Sequence, residues 1–129
     1  MNNPRTASSL SRGKLVLSLL ARNLAETRSF YETIGFRHSG GDDAAGWIEL
    51  SFGGAVLQFY RDPPIGTLHA PSLSGTIYVH VEDADALSRP ISNQVPFEWG
   101  PETMDYGMRE FAVRDPNGYF VAFASPAAK

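Results

Sequence analysis

The 129-residue sequence predicts an α+β chain of two βαβββ modules, whose strands form a curved, barrel-like, eight-stranded mixed-sheet cleft with the helices outside. Three observations predict it. The stretch Met108–Arg114, Asp115-Pro116-Asn117-Gly118, Tyr119–Ala124 alternates apolar and other residues on both sides of a turn signal, as an antiparallel hairpin does. The same order of elements and punctuation occurs earlier: Asn23 matches Asp83, Phe36 matches Phe97, and Gly53-Gly54…Phe59 matches Asn117-Gly118…Phe123, at separations of 60, 61 and 64. Between the two copies, Arg61 to Ser74 is rich in proline and reads as a connection.

In chain order, residues 1–13 are polar and unpatterned, which predicts a flexible tail or an arm across a partner subunit. Lys14 to Ala21 reads as a buried strand. Asn23, with Glu26 three residues later, opens a helix whose Thr27, Phe30, Tyr31 and Ile34 share a stripe, and Gly35 ends it. Phe36 to Ser39 begins a strand, Gly40–Gly46 reads as a loop, and Trp47–Phe52 and Ala55–Tyr60 flank a primed turn at Gly53-Gly54. The second copy runs from a strand at Gly75–Val81 to a short helix capped by Asp83 and interrupted at Pro90. A strand at Val95–Trp99 and the closing hairpin follow, with Asn117-Gly118 as a second primed turn. The expected organisation is thus one domain over 14–129, built of modules 14–62 and 74–125.

Period two divides each strand between faces. Leu57, Phe59, Ile77, Val79, Val81, Phe111, Val113, Val121 and Phe123 are expected beneath the helices. The opposite parity points into the concave space and supplies the candidate ligand-binding set: Trp47, Glu49, Gln58, Tyr60, Thr76, Tyr78, His80, Met108 and Glu110, with Trp99 at the rim. Trp47 and the tyrosines offer stacking surfaces for a flat or cationic ligand, or else fill the core. Glu49 and Glu110 in one cavity would favour a cation and raise at least one carboxyl pKa; the competing reading pairs them with Arg37, Arg109 or Arg114. His80 has no nucleophile at a useful spacing, so a structural role competes with a basic one.

Charge and composition exclude several classes. The net charge is −3, and residues 65–129 carry eight acidic against four basic side chains, opposite to what a nucleic-acid binder needs. No run of apolar residues is long enough for a membrane span. The absence of cysteine rules out disulfides and thiolate chemistry and makes a cytoplasmic home the default expectation.

The segments F-Y-x-x-x-G-F (Phe30–Phe36) and D-P-N-G-Y (Asp115–Tyr119), in that order, resemble the vicinal oxygen chelate superfamily of glyoxalase I, extradiol dioxygenases and bleomycin resistance proteins. The resemblance spans Lys14 to Ser125 and implies two βαβββ modules assembled as a homodimer. It also implies four metal-ligand positions, which fall here at Val16, Gln58, Thr76 and Ala122. Two of these carry no donor and only Gln58 is suited to binding, so the resemblance points to the metal-free, bleomycin-resistance-like branch without a cofactor. The expected function is metal-independent binding of a small cationic or aromatic molecule. Two alternatives stand beside it: a divergent enzyme using His80, Glu49 and Glu110, and an interaction protein whose cleft is filled by its own aromatics.

Overall fold

Asn23 and Asp83 open the two helices in the same way. Each takes an extended backbone, and its side-chain oxygen accepts from the amide three residues on, at 2.8 Å from Glu26 and 3.0 Å from Ala86. A computed structural model describes residues 6–10, 12–61 and 70–128. The expectations for residues 1–5 and 11 of the tail, and for 62–69 of the connection, lie outside the described residues.

The first module comprises β1 (Leu17–Leu20), α1 (Leu24–Thr33), β2 (Arg37–Asp42), β3 (Trp47–Phe52) and β4 (Ala55–Tyr60). The second repeats it as β5 (Thr76–His80), α2 (Ala84–Ser92), β6 (Trp99–Thr103), β7 (Met108–Arg114) and β8 (Phe120–Pro126). Each module forms its own four-stranded mixed sheet, ordered β1-β4-β3-β2 and β5-β8-β7-β6, with the first strand parallel to the last. The expected α+β architecture of two βαβββ units is therefore present.

Parity holds as expected, except that Val81 is only partly buried against the core. Leu57, Phe59, Ile77, Val79, Phe111, Val113, Val121 and Phe123 are buried in one core that also contains Tyr31 and Ile34 near α1 and Ile91 of α2. The core crosses between modules: the rings of Phe52 and Phe123 lie 5.6 Å apart, and those of Phe59 and Tyr119 6.4 Å. A polar network joins them too. Tyr31 donates to Asp115 at 2.7 Å, Arg22 N donates to Asn117 Oδ1 at 2.8 Å, and Tyr119 Oη donates to the Leu20 carbonyl at 2.7 Å.

Four local expectations need correction. The strand expected at Val95–Trp99 instead starts at Trp99 and runs to Thr103. Val95 and Phe97 serve the core without joining the ladder, Phe97 stacking on Phe111 at 4.8 Å. Pro101 is tolerated there because β6 is an edge strand, where a missing N–H breaks no essential bond. Secondly, α2 continues through Pro90, which falls in its last turn; buried Ala84, Ser88 and Ile91 hold the helix down on either side. Thirdly, Asn117-Gly118 does not form the primed two-residue turn, since of the two only Gly118 takes positive φ. Asp115 N instead bonds Tyr119 O, while the Asp115 carboxylate accepts from Asn117 N and Tyr119 N, both at 2.8 Å. Finally, β2 extends through Gly40 to Asp42, because Gly41 at φ +65° lets the strand pass close under the Trp47 ring.

Candidate functional site

On β7, Glu110 projects from the face opposite Phe111, and the neighbouring residues there are small. Ala124 is its register partner on β8, and Ala112 pairs with Ala122. These alanines leave room for longer side chains to lie over the central strands. Tyr78, whose partner on β5–β8 is Ala122, reaches across β8 and donates to Glu110 Oε1 at 2.8 Å. Trp99, opposite Ala112 on β6, donates its indole N–H to Oε2 at 2.8 Å. Tyr106, from the loop between β6 and β7, donates its hydroxyl to Oε1 as well.

Glu110 is consequently only 1% exposed, yet each of its three partners is neutral. Of the three arginines weighed as its partner, Arg109 pairs with Asp85 at 3.1 Å, Arg114 with Glu98 at 3.2 Å and with the Phe120 ring, and Arg37 lies on β2 of the other sheet. Burial pushes the Glu110 carboxyl up, but the donors from Tyr106, Trp99 and Tyr78 outweigh it and hold the group below its ordinary value. Glu49, whose presence in the same cavity the expectation of a raised carboxyl required, lies on β3 of the other sheet. The tyrosines respond in the opposite sense. Burial and the hydrogen bond to Glu110 raise Tyr78, and the hydrogen bond to Glu110 foremost raises Tyr106. The site at neutral pH is therefore a buried carboxylate ringed by protonated donors.

A second carboxylate sits beside it. Glu102 on β6 is the register partner of Glu110, so the two share a face, an arrangement that is destabilising for like charges unless something offsets it. Glu102 and Tyr106 escaped the sequence reading. Both follow Trp99, where the expected strand ends, and only the placement of β6 over Trp99–Thr103 sets Glu102 opposite Glu110.

The remaining candidates divide between the sheets. His80 lies on the Tyr78 side of β5, its ring 5.3 Å from that of Tyr78, and Thr76 is on the same face; both are exposed. Met108 is half-buried two positions before Glu110. On the first sheet, Gln58 accepts from Ser18 at 3.2 Å and pairs in register with Glu49, which accepts from Ser39 at 3.0 Å. Trp47 pairs with Tyr60 and is 38% exposed.

The cavities do not unite the two sets. One of about 270 Å³ touches both sheets through Val56, Thr76 and Tyr78, and one of about 600 Å³ lies between the β3–β4 turn, β5 and α2, reaching Tyr78 and His80. Neither contains Trp47, Glu49, Gln58, Tyr60 or Glu110.

The four positions that correspond to family metal ligands do not fit a divalent ion. Val16 and Ala122 have no donor, Thr76 is a neutral hydroxyl, and the Gln58 oxygen already accepts from Ser18. Among the described residues no three His, Asp or Glu side chains converge as a ligand group.

Fold and site together define a small two-module α+β protein whose second sheet carries an aromatic-lined carboxylate. The chain belongs to the Glyoxalase/Bleomycin resistance protein/Dioxygenase superfamily, whose family model matches residues 15–123. Solved structures of the same fold include a bleomycin-binding protein in complex with bleomycin, at 22% identity and a TM-score of 0.67, covering 88% of this chain and 98% of that one. A bleomycin resistance determinant encoded on transposon Tn5 aligns at 23% identity and a TM-score of 0.68, over 90% and 99% of the two chains. A glyoxalase/dioxygenase from Nostoc punctiforme aligns at 16% identity and a TM-score of 0.66, over 99% of each. No curated protein matches the sequence. No described helix is long and apolar enough to cross a membrane.

Proposed function

We propose that this protein binds a small organic cation, without a metal ion, on the face of the second sheet around Glu110. The observation that carries the reading is a carboxylate 1% exposed, held ionised by three neutral donors and facing no arginine or lysine among the described residues. The carboxylate is hydrogen-bonded but has no counter-charge, and its register partner on β6, Glu102, is of the same sign. A cation therefore gains from both carboxylates and from the rings of Tyr78 and Trp99. The same fold serves a bleomycin-binding protein, which supports a sequestering role.

A second copy of the chain completes the cleft in this reading. Trp47 and Tyr78, on the polar faces of different sheets, are 38% and 39% exposed, and a homodimer would cover such aromatic surface.

Calorimetric titration tests the proposal. With excess chelator present, wild-type protein is expected to bind benzylammonium or bleomycin and not benzoate, and Glu110→Gln is expected to lose at least about tenfold in affinity. Undiminished binding by the Gln variant, or one tightly held divalent ion per chain after reconstitution, overturns it.

A further inference from the structure

Resting on that reading, we infer that Tyr106 is a built-in placeholder in the cation site: its hydroxyl occupies the Glu110 oxygen that an N–H group of a protonated amine or guanidinium takes over on binding. The three donors to Glu110 are not equivalent. Tyr78 and Trp99 belong to strands β5 and β6, whereas Tyr106 sits in the four-residue connection between Thr103 and Met108, closed by a Gly107 N to Met104 O bond of 2.9 Å. Tyr106 is 61% exposed, so withdrawing it uncovers little apolar surface. The oxygen it covers also accepts from Tyr78, so the carboxylate is never left without a partner during the exchange.

The surroundings of Tyr106 suit the exchange. It lines a cavity of about 320 Å³ with Glu102, Thr103, Met104 and Asp105, a wall with two carboxylates and no basic side chain. A cation in that cavity is attracted by Glu102 and Asp105 and meets Tyr106, whose hydroxyl covers Glu110. A tyrosine hydroxyl gives this carboxylate oxygen a hydrogen bond from a neutral donor; an ammonium or guanidinium N–H gives one in which both partners are charged, in the same place. Quaternary ammonium ions, which have no N–H, cannot restore the bond that Tyr106 gives up. The site thereby selects amines and guanidines over fully alkylated cations.

Calorimetric titration of benzylammonium and benzyltrimethylammonium into wild-type, Tyr106→Phe and Glu110→Gln protein tests this, with melting curves confirming that each variant is folded. Tyr106→Phe is expected to bind benzylammonium roughly tenfold tighter than wild type, because no hydroxyl competes for the oxygen. Wild type is expected to prefer benzylammonium to the quaternary ion by a similar factor. If Glu110-dependent binding is seen but Tyr106→Phe weakens it or leaves it unchanged, the placeholder is overturned while the cation site stands. Equal or better binding of the quaternary ion overturns the N–H requirement. If neither wild type nor Tyr106→Phe binds either probe, both the placeholder and the cation site fall.

Discussion

Glu110 shows how a single residue can be read correctly for position and wrongly for environment. Alternation along Met108–Arg114 puts it opposite Phe111, and that was legible because period two admits only one alternative register. Its partners were not legible, because Tyr78 and Trp99 come from strands 32 and 11 residues away. The donors decide its titration. Its folded pKa lies below the ordinary value, so as pH falls the unfolded chain takes up the proton first. The stabilisation it gives is complete above about pH 4.5 and is lost as pH falls through the folded value. Glu110→Gln presents an NH₂ where an acceptor was, so at least one of three part-buried hydrogen bonds to a charged acceptor is lost, at a cost of about 1–3 kcal/mol near neutrality. Denaturant unfolding at pH 7 and pH 3 should show the gap between wild type and variant narrowing in acid. A gap that stays constant would mean the three donors do not depress the carboxyl.

Among the elements, β6 separates what the sequence announced from what it concealed. Strands β3, β4, β7 and β8 declare themselves through alternation, and both helices through their capping side chains. The path from Val95 to Thr103 declares the wrong strand, since apolar Val95 and Phe97 carry the local signal and Pro101 hides the real one. What makes the real strand possible is Gly100. At φ +78° its Cα passes so close to β7 that an added Cβ would lie 2.1 Å from the Glu110 carbonyl oxygen. Both the backbone region and the space exclude other residues. Gly100→Ala should therefore destabilise the protein by more than about 1 kcal/mol and displace β6 from β7, disturbing the Trp99–Glu110 hydrogen bond next to it. Unfolding curves and tryptophan fluorescence would register both effects; unchanged stability would show that β6 can lift away freely.

Across the molecule, the two modules are tied by polar contacts buried inside a shared apolar core. Asn117 is central: it accepts from Arg22 N, donates to Thr27 Oγ1 at 3.0 Å, and is 4% exposed. Tyr119 forms a second tie, its hydroxyl donating to the Leu20 carbonyl at 2.7 Å. Because that carbonyl cannot accept from a phenolate, ionising Tyr119 must break the tie. Burial, with the nearby Asp115 charge, accordingly pushes Tyr119 from 10 up to about 12. The unfolded chain gives up this proton near pH 10 and the folded chain near pH 12, so folding stability falls with rising pH across that interval. Tyr119→Phe should be less stable than wild type at pH 8 by about 0.5–1.5 kcal/mol, through the lost hydrogen bond. Its stability should also decline less steeply from pH 10 to 12, since one of the tyrosines responsible is gone. Denaturant midpoints for both proteins across that range measure the two slopes. Parallel slopes would mean that Tyr119 ionises alike in both states and that the tie between the modules lies elsewhere.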